Sequence, residues 1–343
     1  YDPEKAEIYI NKALESSRRI GYRIGEGTAI YTEGYRKNIM GDPIGAIDLY
    51  QKSIGIIEHT SAYGILAKIY LSLSTVLFLD GNDKKKWLEY LPEVEKLYQA
   101  EGDKKAEAAF YLNVSGAYFR IDQPEKALDY LHKYREISKE VGTSNLYFGI
   151  GFGVEAACYI RMGDTENALF FNNKSIDQFD EKVIEELSLK SQAEYLQGIL
   201  YKRINKIDSA KKYINQSLKN SIPIGNSFCG MQAYRNLAHI SLMLLDYKTC
   251  IKYCDSAIFN ASYIESTGEF YFNDSLNHCI GMSEDIFFPL SRSTRRYYAW
   301  SALNSCYSML WDSYLGLGES DSAIQIQGPW MNLRDSIFSY RKT

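Results

Sequence analysis

Residues 40–54 read MGDPIGAIDLYQKSI, and residues 162–176 read MGDTENALFFNNKSI. Both begin Met-Gly-Asp and end Lys-Ser-Ile, and Ala46 matches Ala168 across an offset of 122 residues. A phrase repeated over that distance points to repeated structural units, and finding their period decides the fold. With the alanine as anchor, the phrase recurs at Ala6 in DPEKAEIYI, Ala127 in DQPEKALDYL, Ala210 in KIDSAKKYI and Ala323 in GESDSAIQI. Cys250 takes the anchor place in LDYKTCIKY. The successive intervals are 40, 81, 41, 42, 40 and 73 residues. The 81 is two periods, its hidden copy lying near Gly81 to Leu91, where bulky Trp87 blurs the match. The 73 is one period plus about 33 extra residues.

Other columns keep the same register. Seven residues after the anchor stand Ala13, Ser53, Ser175, Ser217 and Ala257, with Tyr134 and Trp330 as exceptions. Twelve before it stand Gly34, Ser115, Ala156, Gly198 and Ala238, with Trp311 as the exception. Nine before it, tyrosine recurs as Tyr118, Tyr159, Tyr201 and Tyr314. Small residues at fixed helical positions mark close crossings, because a larger side chain would hold two backbones apart. Between the small columns lie turn and cap residues such as Gly-Asp, Asp-Gln-Pro and Glu-Ser-Asp. Asp or Ser there caps the next helix, and Pro suits its first turn. Each unit therefore reads as helix A, a tight turn and an antiparallel helix B.

Composition agrees. The 343 residues carry only 7 prolines, which suits long helices. Thirty-nine basic and 43 acidic side chains leave a net charge of −4, and there is no basic run to speak for nucleic-acid binding by this chain. No segment approaches the continuous apolar run needed to span a membrane. Cys158, Cys250, Cys254 and Cys306 fall in apolar helical patterns, where cysteine acts as a small hydrophobe. Cys250 and Cys254, one turn apart, would suit a metal only if histidines converged on them. An even count of six also leaves room for a disulfide if the protein is exported.

The pattern resembles the tetratricopeptide repeat (TPR), carried here by Gly198, Tyr201, Ala210 and Ser217 and by Ala156, Tyr159, Ala168 and Ser175. The period of 40 to 42 exceeds the usual TPR length of about 34, which implies longer helices. The resemblance implies an all-α, right-handed α-solenoid with a concave inner face. We expect one array over residues 1–343: a partial first repeat at 1–18 and helical pairs at about 20–57, 61–100, 103–140, 144–179, 182–220, 225–263 and 292–338. Residues 266–291 break the pattern and read as an irregular insertion, either a degenerate packing segment or a lid.

The sequence displays no catalytic constellation, and we expect neither enzymatic activity nor a cofactor. His59, His132, His239 and His278 are scattered, without metal spacing, and Gly149, Gly151 and Gly153 fall in an expected helix rather than a phosphate-binding turn. Arg120, Arg161 and Arg203 recur in YFR, YIR and YKR at the ends of helices A. They serve either to oppose the helix dipole or as a charged ladder for acidic peptides or carboxylates. Inner-face positions implied by the TPR resemblance are Tyr31, Tyr35, Asn38, Tyr195, Lys202, Gln232, Arg235 and His239. Tyr195, Arg203, Arg235 and His239 are the first candidates for ligand contact.

The closing phrase WMNLRDSIFSYRKT is similar to the exit from the repeat domain of Bacteroidetes-type TPR-containing membrane regulators. That resemblance implies an extracytoplasmic sensor region, joined through segments outside this chain to a membrane helix and a histidine kinase or helix-turn-helix output. The implied ligand is a peptide, a protein or a small molecule bound on the concave face, and a C-terminal extension would support a homodimer. The alternative is a cytoplasmic TPR scaffold or adaptor for protein–protein interaction, which cysteines in core-like positions favour.

Overall fold

A computed structural model describes residues 3–79, 84–225, 227–267 and 292–340. The expected insertion, with His278 and Cys279, lies almost wholly outside the described residues. Regular structure among the described residues is entirely α-helical. In chain order the helices are α1 (Pro3–Arg19), α2 (Arg23–Ile39), α3 (Pro43–Ile57), α4 (Tyr63–Leu79) and α5 (Lys84–Glu101). There follow α6 (Lys104–Arg120), α7 (Pro124–Val141), α8 (Asn145–Met162), α9 (Thr165–Ile176) and α10 (Ile184–Arg203). The last five are α11 (Ile207–Ser221), α12 (Ser227–Met243), α13 (Tyr247–Thr267), α14 (Arg292–Gly316) and α15 (Ser320–Tyr340). After the lone α1, even-numbered helices are A and odd-numbered helices are B, as the repeat reading expects.

The quoted phrase is the A-to-B corner. In six corners the residue five before the anchor has positive φ: Gly41, Asp122, Gly163, Asn205, Leu245 and Gly318. Each closes the helix with the same two bonds. At Gly163 its N–H donates to the Ile160 carbonyl at 3.2 Å, and the Asp164 N–H donates to Tyr159 at 2.9 Å. This is the Schellman closure, and it satisfies carbonyls that a helix end leaves orphaned. The anchor N–H then begins helix B, Ala168 donating to the Asp164 carbonyl at 3.1 Å. Asp42, Asp164 and Asp246 also cap the B helices, accepting from Gly45, Asn167 and Thr249 at 2.9, 3.0 and 3.2 Å. Those bonds, with the Thr249 hydroxyl leading at Asp246, hold all three carboxyls below the usual range.

The small columns sit where A meets B. A Cβ on Gly198 would lie 2.5 Å from Ile214 Cγ1 and 3.1 Å from the Ala210 carbonyl oxygen. Ser53 and Ser175 are fully buried, and each donates its hydroxyl to a glycine carbonyl 26 residues upstream, Gly27 and Gly149, at 2.7 Å. The doubled phrase thus makes a doubled bond. Gly149 is in α8 because Phe179 packs against its missing side chain, at 2.7 Å from an added Cβ. The recurrent tyrosines stack on the ring 12 residues later: Tyr118 on Tyr130, Tyr159 on Phe171 and Tyr201 on Tyr213, at 5.3, 5.3 and 5.4 Å. Two exceptions to the small columns, Trp311 and Trp330, pack on one another at 6.3 Å and replace a small–small crossing with a ring pair.

The Cα framework divides into two compact units, Tyr1–Val114 with His132–Gly142, and Ser115–Leu131 with Thr143–Thr343. The first has a core that includes Tyr50, Ile57, Ile69 and Leu73. Within it Glu95 accepts from Tyr111 and Lys133 at 3.0 and 2.8 Å. The second has successive clusters, one of Ala210, Ile214, Ala233, Leu237 and Ile240 between α11 and α12, another of Ala238, Cys250, Cys254, Cys306 and Leu310. The five described cysteines are all buried, and none is joined in a disulfide. No helix among the described residues is long and apolar enough to cross a membrane.

Candidate ligand-binding cavity

Residues at one offset from the anchor face the same way on successive A helices of the second unit. Fifteen before it the series is Gly153 on α8, Tyr195 on α10 and Arg235 on α12. Eighteen before it stand Gln192 and Gln232, and eleven before it Ala157 and His239. Small Gly153 and Ala157 opposite large polar neighbours leave a cavity of about 320 Å³. Gln192, Tyr195, Gln232 and Arg235 line it, Asn172 and Ser175 of α9 contribute from the B layer, and Leu196, Phe228 and Cys229 add apolar surface. Its size falls within the range of small-ligand sites.

The B-layer contribution breaks the core pattern. Four residues after the anchor other repeats carry Tyr50, Leu131, Ile214 and Cys254, all buried and packed. Here the residue is Asn172, 1% exposed. Its amide is held in one orientation: Nδ2 donates to the Ala193 carbonyl at 2.8 Å and to Gln197 Oε1 at 2.7 Å. Gln197 Nε2 is turned the other way, toward the Leu169 carbonyl at 3.4 Å. A flipped Asn172 would set oxygen against oxygen, so Oδ1 is an acceptor, and it has no partner among the described residues. Gln232 Oε1 and Gln192 Nε2 are likewise buried without a partner there. A buried polar atom left unpaired costs about 1–3 kcal/mol, and three of them belong to residues that line this one cavity.

A relay of hydrogen bonds sets the other wall. Lys202 Nζ donates to Asn236 Oδ1 at 2.6 Å, which turns Asn236 Nδ2 onto the Tyr195 hydroxyl at 2.8 Å. The positive charge of Arg235 also acts on that hydroxyl. Tyr195 is thereby an acceptor and keeps its own proton for a further acceptor. Burial raises its pKa. Burial, Arg235 and Arg203 lower the pKa of Lys202; burial, Lys202 and Arg235 lower that of His239. Lys202, Arg203, Arg235 and His239 crowd together, and among the described residues none has a carboxylate within ion-pair distance.

The structure therefore brings Tyr195, Lys202, Gln232, Arg235 and His239 together, with Arg203 exposed at the end of α10. Arg161 stands at a corner instead: its Nη1 donates to Asp122 at 2.7 Å, and its guanidinium lies 4.5 Å above the Phe119 ring. Arg120 is outside the residues whose side chains are described. Tyr31, Tyr35 and Asn38 belong to the first unit, where Tyr31 meets Ser72 at 3.1 Å and its ring lies tilted against Tyr50 at 5.6 Å. Sequence reasoning missed Asn172, Gln192 and Asn236. Asn172 announces itself as a polar residue in an apolar column, and Gln192 as the register mate of Gln232. Among the described residues no three metal-ligating side chains converge.

Neither a family model nor a curated protein sequence matches this chain. Solved structures do. The apo form of RapI is 16% identical over 98% of this chain and 94% of its own, with a TM-score of 0.63. BtubC (BKLC) from P. vanneervenii is 15% identical over 66% of this chain and 93% of its own, with a TM-score of 0.55. A signal transduction ATPase with numerous domains and a tetratricopeptide repeat sensor, from Pyrococcus horikoshii, is 16% identical over 99% of this chain and 54% of its own, with a TM-score of 0.51. At such identities the likeness is one of fold, and with the repeated corners it makes this a TPR-like α-helical repeat protein.

Proposed function

We propose that this chain is a non-enzymatic sensor domain of a bacterial signal-transduction or transcription regulator, binding a peptide or protein on the face made by its A helices. The observation that carries the reading is a cluster of cations, Arg235 on the cavity with Lys202 and His239 near it, without carboxylate partners among the described residues. The cavity offers a phenol, a guanidinium and amides, which are binding groups. Its likeness in fold to a TPR sensor adds support. Ligand would have to favour one packing of adjacent repeats over another to send a signal.

The test is a fluorescence-anisotropy screen of labelled acidic peptides against the purified chain, repeated with Arg235→Glu. Removal of a charge-assisted contact weakens affinity about tenfold or more. An unaltered affinity in the variant would remove the A-helix cations from the interface. Extracytoplasmic placement in a membrane-anchored protein is part of the same proposal, and sequencing the full reading frame tests it. The buried cysteines favour the alternative, a cytoplasmic TPR scaffold; a reading frame with neither a signal peptide nor an apolar helix of about 20 residues would select it.

A further inference from the structure

The repeat register supplies an internal comparison. Sixteen residues before the anchor, helix A carries Tyr111 on α6 and Phe152 on α8; six after it, helix B carries Lys133 on α7 and Lys174 on α9. In both pairs the lysine lies over the ring, Lys133 Nζ at 5.2 Å from the Tyr111 centroid and Lys174 Nζ at 5.5 Å from that of Phe152. The α12–α13 pair keeps the ring, as Tyr234, and replaces the lysine with Ser256. Both residues line a groove of about 530 Å³. We infer that this groove takes a lysine side chain presented by a partner polypeptide, its ammonium lying over Tyr234 as the two other repeats place their own.

Three more departures in the same register suit that guest. Twenty before the anchor, other pairs carry Glu26, Glu107, Phe148, Lys190 and Leu303, whereas Gly230 leaves the groove open. Five after it they carry Gln51, His132, Asn173, Asn215 and Gly328, and here stands a carboxylate, Asp255, which is exposed and lines the groove. Among the described residues no cation lies within ion-pair distance of Asp255. Desolvation raises its pKa, with no neighbouring charge to offset the rise. An ammonium finds there both a ring face and a counter-charge. Nine after the anchor, polar or small residues give way to Phe259, 76% exposed, and Ile222, 59% exposed, joins it along the groove. That apolar rim meets the chain on either side of a lysine, which a free amine lacks. Gly230 and Tyr234 occupy one stripe of α12, and Gln232, Arg235 and His239 occupy others, so this groove is separate from the cavity described above.

Saturation-transfer NMR of the purified chain with Nα-acetyl-lysine N-methylamide, a lysine in minimal peptide form, provides the test. We expect saturable binding, and at least about tenfold weaker binding of the norleucine counterpart, which keeps the aliphatic stem and lacks the ammonium. Ser256→Lys restores the residue type that Lys133 and Lys174 place at this position. It should block the probe while circular dichroism and Tm stay near those of the parent. Asp255→Asn should weaken binding about tenfold. No binding of the lysine derivative, equal binding of the norleucine one, or undiminished binding to the Ser256→Lys variant would overturn the assignment. Binding of n-butylamine without binding of the lysine derivative would assign the groove to a free amine and overturn it as well.

Discussion

At the scale of single residues, the corner is the informative unit. Glycine at 41, 163 and 318 takes positive φ without steric strain, and Asp122 and Asn205 tolerate it through short polar side chains. Leu245 holds the same conformation, φ 59°, with a Cβ that resists it. We predict that Leu245→Gly stabilises the protein by about 1 kcal/mol, the strain released exceeding the added freedom of the unfolded chain. Urea unfolding should show a higher midpoint at unchanged slope. Glu194 offers a pH signature. It is buried on α10, accepts from Asn220 Nδ2 at 2.8 Å, and burial raises its pKa from 4.5 to about 7. Between those values the native state holds a proton that the unfolded chain has released, so this group makes stability fall as pH rises through the window. Glu194→Gln should flatten that slope between pH 4.5 and 7, measured as unfolding midpoint against pH.

Helices set the next scale, and glycines on them carry opposite predictions. Gly198 on α10 lies against the backbone of α11, so Gly198→Ala should destabilise by about 1–3 kcal/mol through overpacking. Gly55 on α3 is exposed with nothing within 4 Å of an added Cβ, so Gly55→Ala should stabilise by about 0.5–1 kcal/mol through helix propensity. Thermal unfolding of the two variants reads the contrast directly. The same scale shows what was legible. The anchor column, the small columns and the stacked tyrosines follow one register because each answers a local demand: a corner, a crossing, a groove to fill. Helix ends followed for the same reason. Trp311 and Trp330 looked like defects in sequence, since neither shows that the other is its partner; only the packed pair explains both.

Over the whole molecule, the cavity was half legible. The TPR resemblance pointed to Tyr195, Gln232 and Arg235, which line the cavity, and to Lys202 and His239, which lie near Arg235. Asn172 was harder to find, because its role depends on small Gly153 and Ala157 of α8 leaving space above it, a relation among three elements rather than within one. The positive cluster also carries a pH prediction. His239 has its pKa lowered by burial, then by Lys202 and Arg235, so it is neutral at pH 7 and gains charge only on acidification. An anionic ligand favours the charged form, so its affinity should rise as pH falls below the ordinary histidine range. His239→Ala should remove that rise in an anisotropy titration. High salt should weaken binding at every pH, as expected for charges at a partly exposed wall.

The central claim is that ligand is held at the A-helix cavity of the second unit by Arg235. A crystal structure of the chain with its tightest acidic peptide tests it most directly. The prediction is ligand density among α8, α10 and α12, with a carboxylate on Arg235. Ligand bound elsewhere, with Arg235 untouched, would contradict it.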